Sequence, residues 1–354
     1  MNEKENSKKT KIYVIASLVV SITFIALILK FTIEPDEIAD LLQHKIRYEF
    51  FAMAIILHIF SWFLWGVRLK IMSNAVDEKL NIGLWEATKI VIANLFLACI
   101  TPSMAGGEPV RIHLLTKKGM SVGSATAATL GERLIDAIFI LICVPIAFFI
   151  FNGYIEDYRI KIGVGIGIIV FLIGLAIFAY AIKNPKKIKS FLIFINGKIS
   201  KFSKKKKSKG RIIHKINREV DNFHNSMVFF LEKGKKTFFT GLILTILLWS
   251  TAFMVASMIL LGLRLPPFFV ESYAAQILLL VIVMMPTLPG SAGVTEVGVY
   301  GLYVMLIGDA FIGIFVLLFR LATYYTNLIA GAIFQYKMFR SVASFSIKKI
   351  KRKG

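Results

Sequence analysis

The sequence predicts an all-α protein, a polytopic bundle of membrane-spanning helices. Hydrophobic residues make up 56% of its 354 residues, and charged residues only 18%, below the roughly 25% that is usual for soluble domains. The mean hydropathy is +0.71. Apolar runs of about 20 residues, the length needed to cross a bilayer, recur from Lys11 to Phe334. A soluble fold could not bury this much apolar surface, so residues 1–354 are interpreted as a single integral membrane domain.

Six segments predict clear membrane crossings. They are residues 12–29, 50–67, 134–151, 162–182, 238–261 and 311–334. The first is longer than the core of a signal peptide and is not followed by a small-residue cleavage site, so we expect it to remain as an anchor.

Two further apolar stretches, residues 90–115 and 268–307, are each predicted to form a hairpin broken by proline and glycine. Lipid offers no hydrogen bonds to irregular backbone, so such a break must be buried in protein or line a polar cavity. The alternative is that both are ordinary helix pairs with loops at the membrane surface. The hairpin backbone residues are Pro102, Gly106 and Gly107 in the first, and Pro286, Pro289, Gly290 and Gly293 in the second.

The distribution of basic residues predicts the orientation in the cell membrane, because loops rich in Lys and Arg stay in the cytoplasm. We assign the N-terminus, residues 68–89, 111–118 and 183–236 and the tail after 336 to the cytoplasm, and they hold 35 of the 43 Lys and Arg residues. Both termini are then cytoplasmic, with a basic tail at 337–354. The hairpins enter from opposite faces, which makes residues 11–151 and 161–336 an inverted repeat. Many secondary transporters have this layout.

The segment 183–236 is predicted to be a basic cytoplasmic loop that contains an amphipathic helix. It holds seventeen Lys or Arg residues against three acids. This helix is expected to lie on the anionic inner leaflet. The net charge of +22 therefore indicates membrane topology, and nucleic-acid binding is not expected. The apolar stripe that predicts the helix has alternating spacings of four and three, at Ile212, Ile216, Val220, Phe223, Met227 and Phe230.

Seven charged residues lie among the apolar segments, where a charge at the bilayer centre costs about 2.5–3.5 kcal/mol. Four acids and three bases suggest mutual pairing. No residue is predicted to be catalytic, and the sequence contains no phosphate-binding loop, H-E-x-x-H or Cys/His cluster, so no cofactor or metal is expected. The seven candidate substrate-binding residues are Glu108, Arg111, Glu132, Arg133, Asp136, Glu296 and Arg320.

The first candidates follow a glycine pair that permits a sharp turn. Pro109 suits the first position of a helix. The N-terminus of that half-helix, together with Arg111, would favour an anionic group such as a phosphate. The alternative is that Glu108 and Arg111 neutralise each other at the water interface.

The remaining candidates fall in two other spans. Glu132 and Asp136 share a helix face, and Arg133 can reach Asp136. These three could form a structural ion pair instead of a binding site. Arg320 lies near the middle of its span, so an acid such as Glu296 or a substrate anion is expected beside it. His58, Asn94, Tyr324 and Tyr325 are further candidates for the cavity wall, and Trp62, Trp65 and Trp85 are interpreted as anchors at the membrane interface.

Taken in order, these motifs resemble the flippase-like membrane domain shared with lysylphosphatidylglycerol synthases. The resemblance covers nearly the whole chain, and it implies that the protein moves a lipid between leaflets. The soluble domain that performs aminoacyl transfer in those synthases is absent from the sequence, so synthase activity is not expected. The motifs are Pro102 with Gly106-Gly107-Glu108 and Arg111, Glu132-Arg133 with Asp136, Pro286 and Pro289-Gly290 with Gly293 and Glu296, and Arg320 with Tyr324.

The sequence therefore favours a translocator of an anionic lipid or lipid-linked precursor over an enzyme. Membrane lipids with anionic head groups are its expected partners, and no protein partner is indicated. One alternative is a membrane-embedded transferase that acts on a lipid carrier, with a carboxylate such as Glu108 as general base. Another is a scaffolding membrane protein that holds a partner through its basic segment.

Overall fold

The computed structural model describes residues 46–77, 80–101, 107–151, 153–154, 184–202, 209–232, 234–283 and 293–334, together with residue 23 and scattered residues between 162 and 183. These ranges contain ten α-helices and no strand, which confirms the all-α prediction for this part of the chain. The helices are α1 (Tyr48–Val76), α2 (Leu84–Ile100), α3 (Gly107–Lys117), α4 (Val122–Phe151), α5 (Pro185–Phe202), α6 (Lys209–Glu232), α7 (Lys235–Gly262), α8 (Phe269–Val283), α9 (Val294–Ile307) and α10 (Asp309–Arg320).

Within the part of the chain that the structure describes, four helical segments are long and apolar enough to cross a membrane. They are α1, α4, α7 and the segment Asp309–Phe334, in which α10 continues through a π-helical turn at Leu321–Tyr325. These segments match four of the six predicted spans. The span predicted at 12–29 lies outside the described residues except for residue 23, and the span at 162–182 is described only at scattered helical positions.

Both broken apolar stretches contain two short helices, as predicted. Helices α2 and α3 have 17 and 11 residues, and α8 and α9 have 15 and 14. At 1.5 Å per residue these helices measure about 16–26 Å, less than the roughly 30 Å of a bilayer core. In each stretch the two helices pack together. The connecting residues, 102–106 and 284–292, lie outside the described residues.

Helix packing brings the spans around two main apolar cores. The larger core is formed by α4, α7, α8, α9 and α10. A smaller one joins α1, α2, α3 and the start of α4. Helix α1 packs along α7 and also contacts α4. Consequently, polar side chains on α1, α4 and α7 that point inward meet one another.

The outer surface of these helices is apolar. Ile56, Ile142, Phe149 and Phe239 are between 58% and 85% exposed. Soluble monomers rarely expose contiguous apolar patches of this kind, whereas lipid accommodates them. The exposed residues agree with an integral membrane protein.

The basic segment forms two helices, α5 and α6, and the prediction that the α6 stripe lies on the leaflet is wrong. Val220 is buried, and Met227 and Phe230 pack with Met72 of α1 and Ile135 of α4 in a small apolar core. An amphipathic pattern does not distinguish a lipid surface from a protein surface. Here α4 provides the surface that the stripe covers. The side chain of Ile212 lies outside the described residues.

Glu219 of α6 caps the first turn of α4. Its Oε2 accepts the Gly123 N–H at 2.8 Å, and the negative charge suits a helix N-terminus. Burial acts to raise the pKa of Glu219, but the Gly123 N–H and Arg218 outweigh it and lower the pKa below its usual value. A carboxylate with a lowered pKa contributes stability above its ordinary pKa and loses that contribution as the pH falls through the lowered value.

Replacement of Gly123 by valine is expected to separate α6 from α4. A Cβ atom at Gly123 would lie 2.2 Å from the Glu219 carbonyl oxygen and 2.7 Å from Asn222 Cβ. Overpacking of this kind costs about 1–3 kcal/mol. The Oγ atoms of Ser124 and Ser226 lie 3.5 Å apart. Both serines are replaced by cysteine in a variant without Cys99 and Cys143, and the yield of the disulfide between them measures the contact of α6 with α4.

The matched control is Gly83→Ala, because a Cβ atom there has nothing within 4 Å. We expect the disulfide yield to fall with Gly123→Val and to stay unchanged with Gly83→Ala. An undiminished yield with Gly123→Val would contradict the described packing of α6 on α4.

Candidate functional site

The site begins with one turn of α4 that carries three charged residues. The i, i+4 spacing places Glu132 and Asp136 on the same face, and they are 0% and 2% exposed. Arg133 reaches forward along the helix by one turn, and its Nη1 lies 3.2 Å from Asp136 Oδ2, as its spacing predicts. Two buried carboxylates require cationic partners from other helices.

The main partner is Arg68 of α1. Its Nε donates to Glu132 Oε1 at 3.1 Å. Its Nη1 donates to Asp136 Oδ1 and to Thr245 Oγ1, each at 2.6 Å. One guanidinium therefore connects α1 to both carboxylates of α4 and to α7.

Sequence reasoning missed Arg68, because it ended the span at residue 67 and assigned 68–89 to a cytoplasmic loop. Helix α1 continues to Val76, and Arg68 is 1% exposed. One signal in the sequence could have indicated that Arg68 is buried within a helix. Arg68 lies one helical turn from both Trp65 and Met72, on the same face.

Arg111 of α3 completes the inner part of the site. Its Nη1 lies 2.6 Å from Glu132 Oε2, and its Nη2 donates to the Thr129 carbonyl at 3.4 Å. The alternative in which Arg111 neutralises Glu108 is wrong, because Arg111 points to Glu132. Glu108 instead faces Arg133, with Nε and Oε1 3.4 Å apart.

The start of α3 also differs from the expectation. The helix begins at Gly107 and not at Pro109. Pro109 still lies in the first turn, where an N–H would have no partner within the helix.

We call these six residues the ionic cluster. Three arginines balance three carboxylates, so the cluster is neutral as a whole. Its inner members are fully buried, whereas Arg133 and Glu108 at its outer edge have 32% and 33% exposed side chains. The cluster consists of Arg68, Glu108, Arg111, Glu132, Arg133 and Asp136.

Two tryptophans line the cluster. Trp249 Nε1 donates to Asp136 Oδ1 at 3.2 Å. The Trp65 ring lies 5.2–5.8 Å from the guanidinium carbons of all three cluster arginines, within range of cation–π attraction. The interpretation of Trp62 as an interface anchor is wrong, because it is 6% exposed and packs edge-on against His58. Trp85 is half exposed, as an anchor would be.

The ionic cluster lies away from one end of the bundle. Residues 136–151 of α4 correspond to about 22 Å of helix. Residues 48–68 of α1 correspond to about 30 Å. The cluster therefore lies near the end of α1 and at the midpoint of α4.

A second charged group, the mid-span pair, consists of Glu296 and Arg320. Arg320 Nη2 lies 3.0 Å from Glu296 Oε1, which confirms the expectation of an acid beside Arg320. Gly293, with a φ of +82° that favours glycine, donates its N–H to Glu296 Oε2 at 2.7 Å. The Arg320 guanidinium stacks 4.1 Å from the Tyr324 ring centre. Arg320 is near the middle of Asp309–Phe334.

The predicted site residues thus form two groups and not one set. Five belong to the ionic cluster and two to the mid-span pair. Of the other candidates, His58 Nε2 lies 3.0 Å from Asn327 Oδ1, Asn94 is buried beside the start of α3, and Tyr324 stacks on Arg320. Among the described residues, no group of three His, Cys, Asp or Glu side chains is placed to hold a metal ion. The carboxylates of the ionic cluster are engaged by arginine instead.

Comparison with known proteins identifies the family of the chain. Residues 14–331 match the family described as lysylphosphatidylglycerol synthase TM region. A UPF0104 membrane protein of Archaeoglobus fulgidus is 31% identical over 89% of this chain and 94% of its own length. UPF0104 membrane proteins of Methanothermobacter thermautotrophicus and Pyrococcus horikoshii are each 24% identical, over 80% and 93% of this chain and 82% and 98% of their own lengths. No solved structure matches. The chain is an integral membrane protein that belongs to the lysylphosphatidylglycerol synthase TM region family.

Proposed function

We propose that the protein moves an anionic lipid or a lipid-linked precursor between the leaflets of the membrane. The observation that carries the proposal is the ionic cluster inside the helix bundle. Its inner side chains are buried in short ion pairs, and its Arg133 and Glu108 side chains are partly exposed. Replacement of a buried ion pair by apolar residues is often neutral or stabilising. Six ionised side chains among membrane helices therefore indicate a function that involves a polar or charged substrate.

Arg133 is the residue through which a head group would enter. Its pair with Glu108 is the longest in the ionic cluster, at 3.4 Å, and both side chains reach the surface. The inner pairs of Arg68 and Arg111 are as short as 2.6 Å. A phosphate can therefore exchange with Glu108 at Arg133 while the inner pairs keep the helices in place. Charge-assisted hydrogen bonds from a guanidinium suit this anion.

The mid-span pair supplies a second charged position, near the middle of the segment Asp309–Phe334. Helices α3 and α9 are both too short to span a bilayer, and both begin beside a charged group, at Glu108 and at Glu296. This agrees with two hairpins that enter from opposite sides and with binding sites at broken helices. We place both termini in the cytoplasm, on the distribution of basic residues.

The test is lipid movement in reconstituted vesicles, with a fluorescent anionic lipid and chemical quenching of the outer leaflet. We expect Arg133→Gln to slow the movement about tenfold or more, because a hydrogen bond to a charged group contributes about 1.5–3 kcal/mol. The control is Arg47→Gln, because Arg47 makes an exposed ion pair with Glu49 outside the cluster.

Equal rates for Arg133→Gln and wild type would contradict the role of Arg133. The transferase alternative is tested separately with purified protein in detergent. Turnover of a lipid carrier there, where no leaflets exist, would favour the transferase over the translocator.

A further inference from the structure

Helix α5 exposes an apolar face at the side of the bundle where α4 begins. Phe191 and Phe194 are 58% and 59% exposed, and Leu192 is 38% exposed. Phe191 and Phe194 are neighbours along one face of the helix, and Leu192 lies at the edge of that face. Bulky side chains of this kind, exposed together, mark an interaction surface.

The opposite face of α5 is attached to the protein. Lys189 Nζ lies 2.6 Å from Asp221 Oδ1 of α6. Helix α6 is in turn fixed to the first turn of α4, where Asn222 Nδ2 donates to Ser121 Oγ at 3.1 Å and Glu219 caps Gly123. Helix α5 is therefore an outer layer on α6, with its apolar face turned away from the bundle.

The charges around this face identify what it contacts. Lys186 and Lys187 are exposed in the first turn of α5, and the segment 183–236 holds seventeen basic residues against three acids. Aromatic side chains next to lysines are typical of helices that lie in the head-group region of an anionic membrane. The nearby α7 shows the same order, with exposed Lys235 and Lys236 followed by exposed Phe239.

We propose that α5 lies in the head-group layer of an anionic leaflet, with Phe191 and Phe194 among the lipid chains and Lys186 and Lys187 beside lipid phosphates. The occupant of this face is the membrane surface. This assigns to α5 the contact that the sequence pattern suggested for α6, whose own stripe is buried in the protein. The inference is independent of lipid translocation.

The experiment places an environment-sensitive dye on Phe191→Cys in the full-length protein without Cys99 and Cys143. Vesicles contain phosphatidylcholine alone or with added phosphatidylglycerol, and nitroxide lipids carry the quencher either near the head group or near the chain end. We expect stronger quenching by the shallow nitroxide, increased by phosphatidylglycerol and reduced by salt, which screens exposed charges. Lys186→Gln with Lys187→Gln should reduce the phosphatidylglycerol effect severalfold, since each lysine near an anionic surface contributes about fivefold.

The control position is Asn225→Cys, which is exposed on α6 and should show little quenching by either lipid. Quenching at position 191 that is as weak as at position 225 would mean that α5 faces water or another protein, and the proposal would be wrong. Stronger quenching by the chain-end nitroxide would place α5 in the bilayer core, which also overturns it. If phosphatidylglycerol does not change the quenching, Lys186 and Lys187 do not contact anionic head groups, and that part of the proposal is wrong.

Discussion

Replacement of Arg68 by methionine is expected to lower the free energy of unfolding by about 3–5 kcal/mol, the usual cost of removing one partner of a buried ion pair. Arg68 is the only cation within 3.1 Å of Glu132 Oε1 among the described contacts, and its removal also leaves Asp136 Oδ1 with only the Trp249 N–H. Methionine keeps most of the side-chain volume, so the loss reports charge more than packing. Denaturant titration of the purified protein in detergent measures it.

Two further variants make this prediction specific. Arg47→Met removes an arginine whose ion pair with Glu49 is exposed, and exposed pairs contribute little, so its unfolding should resemble that of the wild type. Removal of Arg68 leaves three carboxylates against Arg111 and Arg133, and adding Asp136→Asn removes the one excess negative charge, so it should recover part of the stability. If Arg68→Met were no more harmful than Arg47→Met, Arg68 would not connect α1, α4 and α7 as the structure indicates.

Arg68 also shows where sequence reasoning reaches its limit. The apolar run of α1 was predicted correctly, because hydropathy is a local property. The end of that run was placed before Arg68, because a basic residue after an apolar segment usually marks the cytoplasmic side. Its burial depends on Glu132, which is 64 residues away in the sequence. A single sequence contains no local signal for such a pairing.

The amphipathic helices show a second limit of a different kind. The period of the stripe on α6 was predicted, but not the surface that it covers. Small residues of α4 decide this, since a Cβ atom on Gly131 would already lie 3.2 Å from the Phe230 ring. The same holds for Arg111, for which the sequence left an anionic ligand or Glu108 as alternatives and which tertiary packing pairs with Glu132. Residue types and spacing predicted every charged residue of the two sites except Arg68, and they predicted the pairs Arg133–Asp136 and Glu296–Arg320. They did not predict the pairs that join different helices of the ionic cluster.

The mid-span pair separates a structural role from a transport role. Glu296→Gln should remove the carboxylate that lies 3.0 Å from the Arg320 guanidinium, and Arg320→Gln should remove that cation from beside Glu296. Each single change is expected to cost about 3–5 kcal/mol of stability. The double variant removes both charges and keeps two polar side chains of similar size, so its free energy of unfolding should return to within about 1–2 kcal/mol of the wild-type value.

The double variant should remain defective in lipid transport although its stability returns. If the mid-span pair receives the head group, the double variant lacks the guanidinium that binds the anion, and lipid movement in vesicles should be at least about tenfold slower than in the wild type. Thermal unfolding of the same preparation confirms that the protein is folded. A double variant that is stable and moves lipid at the wild-type rate would show that Glu296 and Arg320 only neutralise each other, and the translocation path would then have to be sought at the ionic cluster alone.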